Sequence, residues 1–230
     1  MSRPEEYRDH DHIKSYVKRA HRMSQHQRRA YESLRHTYCV ERSKTAVDPS
    51  SFFPQPGPCV LEIGFGMGAA TAELAVSNPE TNFLGVEVYT PGVGKLLSLI
   101  EEFGLVNVRI IHDDAILVLE QMIPPHSLAG IHLFFPDPWP KKRHHKRRIV
   151  RPALTSLMAT RLVAGGYLYM VTDWQPYAEA ALDVLSSTDG LQNSCHGFAE
   201  PLAWRPATAF EAKGRASGRP IRELFFTADS

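Results

Sequence analysis

The residues from Phe134 to Arg148 read Phe-Phe-Pro-Asp-Pro-Trp-Pro-Lys-Lys-Arg-His-His-Lys-Arg-Arg. An apolar run, Ile131 to Phe135, breaks into Pro136, Asp137, Pro138, Trp139 and Pro140. Prolines fix φ and remove donors, so neither a helix nor a central strand continues through this stretch. A carboxylate and an indole are thereby held on a stiff corner at the end of a strand. In open α/β sheets that is the end where ligands bind. Lys141, Lys142, Arg143, Lys146, Arg147, Arg148 and Arg151 follow, with His144 and His145 among them and no acid. Cations at that density repel one another unless a polyanion is bound, so the expected chemistry acts on something carrying phosphates.

A second group lies upstream. Leu61-Glu62-Ile63-Gly64-Phe65-Gly66-Met67-Gly68 is a glycine turn between a strand and a helix. Glycines there allow a sharp bend and close approach of a ligand to the backbone. Gly64, Gly66 and Ala69 also satisfy the dinucleotide pattern Gly-x-Gly-x-x-Gly/Ala, so a nicotinamide enzyme stays in contention. Three acids favour S-adenosylmethionine instead. Glu87 ends the second strand, where a carboxylate can accept from both ribose hydroxyls. Asp114-Ala115 ends the third, where a carboxylate and a backbone N–H can read an adenine edge. Glu62 stands beside the glycines, where it suits an ammonium or sulfonium better than a pyrophosphate. The plain alternative makes Glu62 and Asp114 helix caps.

The elements that must position these groups alternate. Strands are expected at Cys59 to Ile63, Asn82 to Val88, Val106 to Ile111, Leu128 to Phe135, Gly166 to Thr172 and Ile221 to Thr227, with a short one near Asn193 to Phe198. Helices are expected from the glycine turn to Ser77, then over Gly92 to Phe103, Ile116 to Ile123, Arg151 to Val163 and Pro176 to Ser187. That alternation implies a mostly parallel, doubly wound sheet with helices on both faces. Upstream, residues 1–45 read as a basic arm in which Ser24 can cap a helix to Tyr38 and Arg19, Arg22, Arg28, Arg29 and Arg35 can meet phosphates. The first dozen residues read equally well as a mobile tail. Residues 46–58, with Pro49, Pro54, Pro56 and Pro58, read as a linker, and 59–230 as the catalytic domain.

The net charge of +1 conceals segregation. Residues 1–58 hold 11 Lys+Arg against 7 Asp+Glu, residues 59–137 hold 2 against 10, and residues 138–151 hold 7 against none. An acidic centre between basic segments is unlike an evenly solvated surface and signals a polyanion partner that net charge alone would miss. No apolar run has the length of a membrane span, and the charged start is no signal peptide. Cys39, Cys59 and Cys195 are odd in number and widely spaced, which argues against a disulfide framework or zinc site and suits a reducing cytoplasm. His144 and His145 lack ligand partners at metal-binding spacing, so no metal is expected.

Taken in order, Leu-Glu-Ile-Gly-Phe-Gly-Met-Gly, Gly-Val-Glu-Val, Asp-Ala and Phe-Pro-Asp-Pro-Trp-Pro-Lys-Lys-Arg-His-His-Lys-Arg-Arg resemble the bacterial tRNA (guanine-N(7)-)-methyltransferase family. Asp173 in Val-Thr-Asp-Trp, the segment Arg205 to Gly214 and the arm from Ser15 to Ser24 resemble its other motifs. The resemblance implies a Rossmann-like class I S-adenosylmethionine-dependent methyltransferase acting on a variable-loop guanosine of tRNA; a monomer or weak homodimer is expected. It implies cofactor contacts at Glu62, the turn glycines Gly64, Gly66 and Gly68, Glu87, Asp114, Ala115 and Asp137, with Asp137 also catalytic. It implies substrate contacts at Lys141, Asp173, Thr208, Ala209, Phe210 and Glu211, and RNA contacts at Arg143, His144, His145, Lys146, Arg147 and Arg148. Two positions depart from the family pattern: Ala209 stands where a Lys is usual, and His21 where a Gly is usual.

Guanine N(7) carries an in-plane lone pair and no proton, so its methylation requires alignment and electrostatics rather than a base. Its edge offers only acceptors, N(7) and O(6). Carboxylates therefore suit the opposite, donor-bearing edge, which assigns Glu211 or Asp173 there and Lys141 or Thr208 to O(6). Trp139 either stacks on the extruded base or packs over the strand end. Alternatives are an amino-directed RNA or DNA methyltransferase, for which Asp137-Pro138-Trp139 is a loose match, a nicotinamide dehydrogenase, and an RNA-binding protein with a dead cofactor pocket.

Overall fold

The computed structural model describes residues 13–16 and 22–229. Among the described residues, seven strands form one sheet in the order β3-β2-β1-β4-β5-β7-β6. They are β1 (Cys59–Ile63), β2 (Asn82–Val86), β3 (Val108–Ile111), β4 (Leu128–Phe134), β5 (Leu162–Thr172), β6 (Leu191–Asn193) and β7 (Arg222–Ala228). The first five run parallel, and β7 lies antiparallel between β5 and β6. The helices are α1 (Gln25–Tyr38), α2 (Ala69–Ser77), α3 (Thr90–Phe103), α4 (Ala115–Gln121), α5 (Pro152–Arg161), α6 (Gln175–Ser186) and α7 (Ala209–Ala216).

The sheet is buried on both sides, which is why β1 and β2 read as unbroken apolar runs rather than alternating ones. On one face Leu61, Leu84 and Ile131 pack with residues of α4, α5 and α6. On the other, Val60, Phe83 and Val108 pack with residues of α1, α2 and α3. Ser24 caps α1 through a reciprocal box with Gln27. The helix then lies so close to α3 that a Cβ on Gly94 would stand 2.8 Å from the Gln27 carbonyl oxygen.

The order of strands creates the ligand crevice. From β1 the chain winds outward through β2 to β3; from β4 it winds the other way through β5. The crossovers leaving neighbouring β1 and β4 therefore part, and their carboxyl ends open a gap between them. The glycine turn leaves one side of that gap and the Pro-Asp-Pro-Trp corner leaves the other.

Beyond shifts of one or two residues at element ends, three elements differ from the sequence expectation. β5 begins at Leu162 rather than Gly166, because Leu162 already pairs with Leu128 and a register shift carries the strand past Gly165, whose φ is +71°. β6 ends at Asn193, where Asn193 Oδ1 accepts from Cys195 N–H and the chain turns toward Gly197 at φ +103°. α7 was not anticipated; Thr208 caps it, accepting from the Glu211 amide. No described helix is long and apolar enough to cross a membrane. Arg19, His21 and the first dozen residues lie outside the described residues.

Candidate active site

The turn after β1 is built on left-handed backbone: φ is +74° at Gly64, +60° at Gly66 and +72° at Gly68. Only glycine takes that region without steric cost. The turn is also crowded from behind, since a Cβ on Gly68 would meet Leu96 at 2.7 Å. It therefore holds its shape while presenting bare backbone to the crevice.

Three carboxylates stand around the turn, each largely withdrawn from water. Glu62 is 2% exposed and accepts from the Thr71 hydroxyl at 2.8 Å. Burial raises its pKa to about 7; the Thr71 hydrogen bond opposes this, and the charge of Glu87 adds to it. Glu87 accepts from the Gly66 N–H at 2.9 Å with one oxygen, and from Val88 and Tyr89 N–H at 2.7 and 2.9 Å with the other. Burial lifts its pKa despite those three donors, and the charge of Asp137 lifts it further. Asp114 caps α4 through the Ile116 N–H at 2.9 Å, with Ala115 as the first helical residue. The cap takes only part of what Asp114 can accept (a carboxylate takes about four hydrogen bonds).

Asp137 is exposed at the corner opposite, and its charge acts on Glu87 across the crevice and on the Tyr177 hydroxyl. The corner is strained: Phe135 and Trp139, both bulky, sit at φ +54° and +45°. Such conformations persist only when neighbours enforce them. Arg148 is one enforcer. Its Nε donates to the Pro138 carbonyl at 2.9 Å, and its guanidinium lies 4.6 Å from the centre of the Tyr177 ring.

This corrects the expectation for Arg148. It is 6% exposed and begins the buried run through Val150, so it is turned into the protein rather than outward. Arg147 is half-buried: its guanidinium lies 3.9 Å over Trp139 and donates to the Lys14 and Tyr16 carbonyls. Trp139 is accordingly packed, with Arg147 over its ring, His144 edge-on at 5.9 Å and its indole N–H on the Ser15 carbonyl. His144 and His145 are half-exposed on a single 3₁₀ segment, Lys142–Arg147. Partial burial, then Arg143, Lys141 and Arg147, lower the His144 pKa. Lys141, Lys142, Arg143 and Lys146 all face solvent.

The downstream residues gather at the end of β5. Asp173 pairs with Arg219 at 2.9 Å and packs against Gly214 of α7, where a Cβ would approach its own at 3.0 Å. Phe210 is 60% exposed, its ring stacked on Phe135 at 6.1 Å and 20°. Ala209 is exposed, and the Thr208 hydroxyl is committed as acceptor to the helix cap.

Glu211 differs from expectation. Its carboxylate is 5% exposed, accepts from Arg205 at 2.7 Å, and takes a two-pronged contact from Arg215 at 3.0 and 2.7 Å. Burial opposes its charge, but those guanidinium groups outweigh it and hold the pKa low. A carboxylate so occupied is not available to read a base edge; it fastens α7 in place. Arg205 also reaches Glu223 of β7 at 2.7 Å and the Tyr169 hydroxyl at 3.1 Å. Sequence reasoning missed this network because its members are 36 and 18 residues apart, and only the β5–β7 pairing joins them. Among the described residues no cluster of His, Cys, Asp and Glu could hold a metal, and Cys39, Cys59 and Cys195 are unpaired.

Known proteins resemble this arrangement. A family model described as "Putative methyltransferase" matches residues 56–224. The tRNA (guanine-N(7)-)-methyltransferase of Burkholderia vietnamiensis is 50% identical over 217 residues, 94% of this chain and 85% of the relative. That of Nitrosomonas eutropha is 49% identical over 218 residues, 95% of this chain and 97% of the relative. Among solved structures, the 16S rRNA methyltransferase KamB superposes with a TM-score of 0.55 at 15% identity, covering 93% of this chain and 97% of its own. At that identity the likeness speaks for the class I methyltransferase fold alone.

Proposed function

Because the chain belongs to the tRNA (guanine-N(7)-)-methyltransferase family, we propose that it methylates N(7) of a guanosine in the variable loop of tRNA. The observation that carries the reading is the crevice itself. Buried carboxylates and bare glycine backbone line one wall, an exposed acid stands on the other, and solvent-facing cations begin four residues beyond it. The amino-directed alternative is not favoured, since relatives matching nearly the whole chain carry the guanine-N(7) name.

The residues fit S-adenosylmethionine. Glu62 suits its ammonium, the remaining lone pair of Glu87 a ribose hydroxyl, and Asp114 with the Ala115 N–H its adenine. Gly64, Gly66 and Gly68 leave room for its backbone-hugging tail. The surrounding scarcity of Lys and Arg would suit a pyrophosphate poorly. When bound, the cofactor supplies a methyl group already activated on a sulfonium.

The chain then has to orient and to balance charge. N(7) donates its own lone pair, so no residue removes a proton. Positive charge appears on the purine as the bond forms, and Asp137 faces it from the strained corner. Lys141 donates toward the acceptor edge that N(7) shares with O(6). Asp173, more open than Glu211 and held by one guanidinium rather than two, is the acid for the donor edge, and Phe210, with Thr208 and Ala209 beside it, offers the exposed ring on which a base can stack. Arg143, Lys146 and the neighbouring histidines His144 and His145 grip phosphates. The enzyme works as a monomer or weak homodimer, with residues 59–230 as the catalytic domain behind a basic arm and a linker.

Incubation with labelled S-adenosylmethionine and unmodified tRNA, followed by aniline cleavage at methylated guanosines, tests this. Cleavage at one variable-loop guanosine is the expected result. Label appearing on an exocyclic amine, or no label at all, would overturn it. Asp137→Asn, which keeps shape and removes charge, should lower kcat by about 10²-fold.

A further inference from the structure

The arm enters the site through four described residues. The carbonyl oxygens of Lys14, Ser15 and Tyr16 accept, in turn, from Arg147 Nε at 3.0 Å, Trp139 Nε1 at 3.2 Å and an Arg147 terminal nitrogen at 2.7 Å. The Tyr16 phenol reaches to the end of β3 and hydrogen-bonds the Asp114 side chain. Burial first, then the charges of Asp114 and Asp113 and that hydrogen bond, push its pKa up to about 12, so it remains a proton donor at any working pH. Three successive residues thus span the distance from the basic loop to the adenine-reading acid.

Both anchors have other work in the methyltransferase reading, on which this inference rests. The adenine amino group needs to approach Asp114, and the Tyr16 phenol already stands on that carboxylate, beside the Ile116 N–H that it caps. A tRNA phosphate needs the fork of Arg147, and two of its donors already point at arm carbonyls. Among the described residues, the arm meets the basic loop through backbone carbonyls that water can satisfy equally well.

We propose that Lys14–Tyr16 is a strap that occupies the adenosine subsite and the RNA-gripping loop together in the free enzyme, and that either ligand displaces it. Whichever binds first removes the competitor of the other. Cofactor and tRNA therefore raise each other's affinity by the same factor, as linkage requires. Tyr16 is a positioning residue in this scheme: it touches no reacting atom and acts through Asp114.

Calorimetry of the full chain with S-adenosylhomocysteine, alone and with saturating unmodified tRNA, tests the strap. Tyr16→Phe should bind S-adenosylhomocysteine roughly five-fold tighter than wild type without RNA, the low end of ordinary coupling. Arg147→Gln, distant from the adenosine subsite, should tighten it as well, and the double variant should gain no more than the larger single effect. tRNA should tighten binding to wild type and lose that effect in Tyr16→Phe. Thermal melting establishes that each variant is folded, and Tyr16→Ala repeats the measurement should Arg147→Gln not be. Unchanged or weakened binding in folded Tyr16→Phe overturns the strap, weakening meaning that Tyr16 roofs the cofactor instead. Wild type that fails to bind S-adenosylhomocysteine at all overturns the methyltransferase reading itself.

Discussion

Glu62 has a pKa near 7 where an unfolded glutamate titrates near 4.3, because the folded chain withdraws it from water. The folded state therefore holds this proton more tightly. The group's contribution to stability is complete below the unfolded value and is lost as pH rises through about 7. An ammonium ligand pulls the other way, since it binds the ionised form. S-adenosylhomocysteine should therefore bind more tightly as pH rises from about 5.5 to 7, by at most about tenfold per pH unit, and Glu62→Gln should flatten that dependence. A titration series by calorimetry reads both. Arg148 makes a different prediction. Replacing it with Ala leaves the Pro138 carbonyl without its donor and Tyr177 without its cation, at a cost of about 1–3 kcal/mol. The salt slope of tRNA binding should stay the same, because this guanidinium faces inward; chemical denaturation and a salt series measure the two effects separately.

At the scale of elements, α7 is the piece whose placement most affects the site. Its own residues Ala-Phe-Glu-Ala-Lys-Gly-Arg-Ala make a short helix of little intrinsic stability. Arg205 holds it, bridging Glu211 of α7 to Glu223 of β7 with all three side chains at most 5% exposed. Removing one member of such a set strands the other charges, so Arg205→Ala should cost about 3–5 kcal/mol of global stability. Arg215→Ala is the gentler test. Its side chain is 63% exposed, so stability should barely change; Phe210, one position from the loosened Glu211, should lose its fixed place. The expected signature is a raised KM for tRNA with the KM for cofactor unchanged. The Pro-Asp-Pro-Trp corner was legible in the sequence as rigid because prolines act locally, whereas α7 was not, because what holds it comes from strands far along the chain.

Over the whole molecule, charge is sorted by surface. The acids of residues 59–137 include the three that turn inward around the crevice, while the solvent-facing cations of the basic loop form one outward edge. tRNA affinity should fall steeply with salt. Changing Lys142, Arg143 and Lys146 to Gln should reduce the log–log slope by roughly 0.7–0.9 for each phosphate that is no longer neutralised, without affecting S-adenosylhomocysteine binding. Filter binding across a salt series would show it, and an unchanged slope would take this edge out of the RNA interface.

The sequence by itself determined the sheet, the glycine turn and the corner. Each depends on local rules: apolar runs make buried parallel strands, glycines permit positive φ, and prolines stop both helix and strand. It also carried the family motifs that point to guanine-N(7) chemistry. Only the tertiary structure decided which charges remain available to act. Arg148 and Glu211 look from the chain like their exposed neighbours, yet each is buried against partners that sequence distance conceals. A side chain's type states what it can bind; whether that capacity is already spent depends on what the fold brings alongside it.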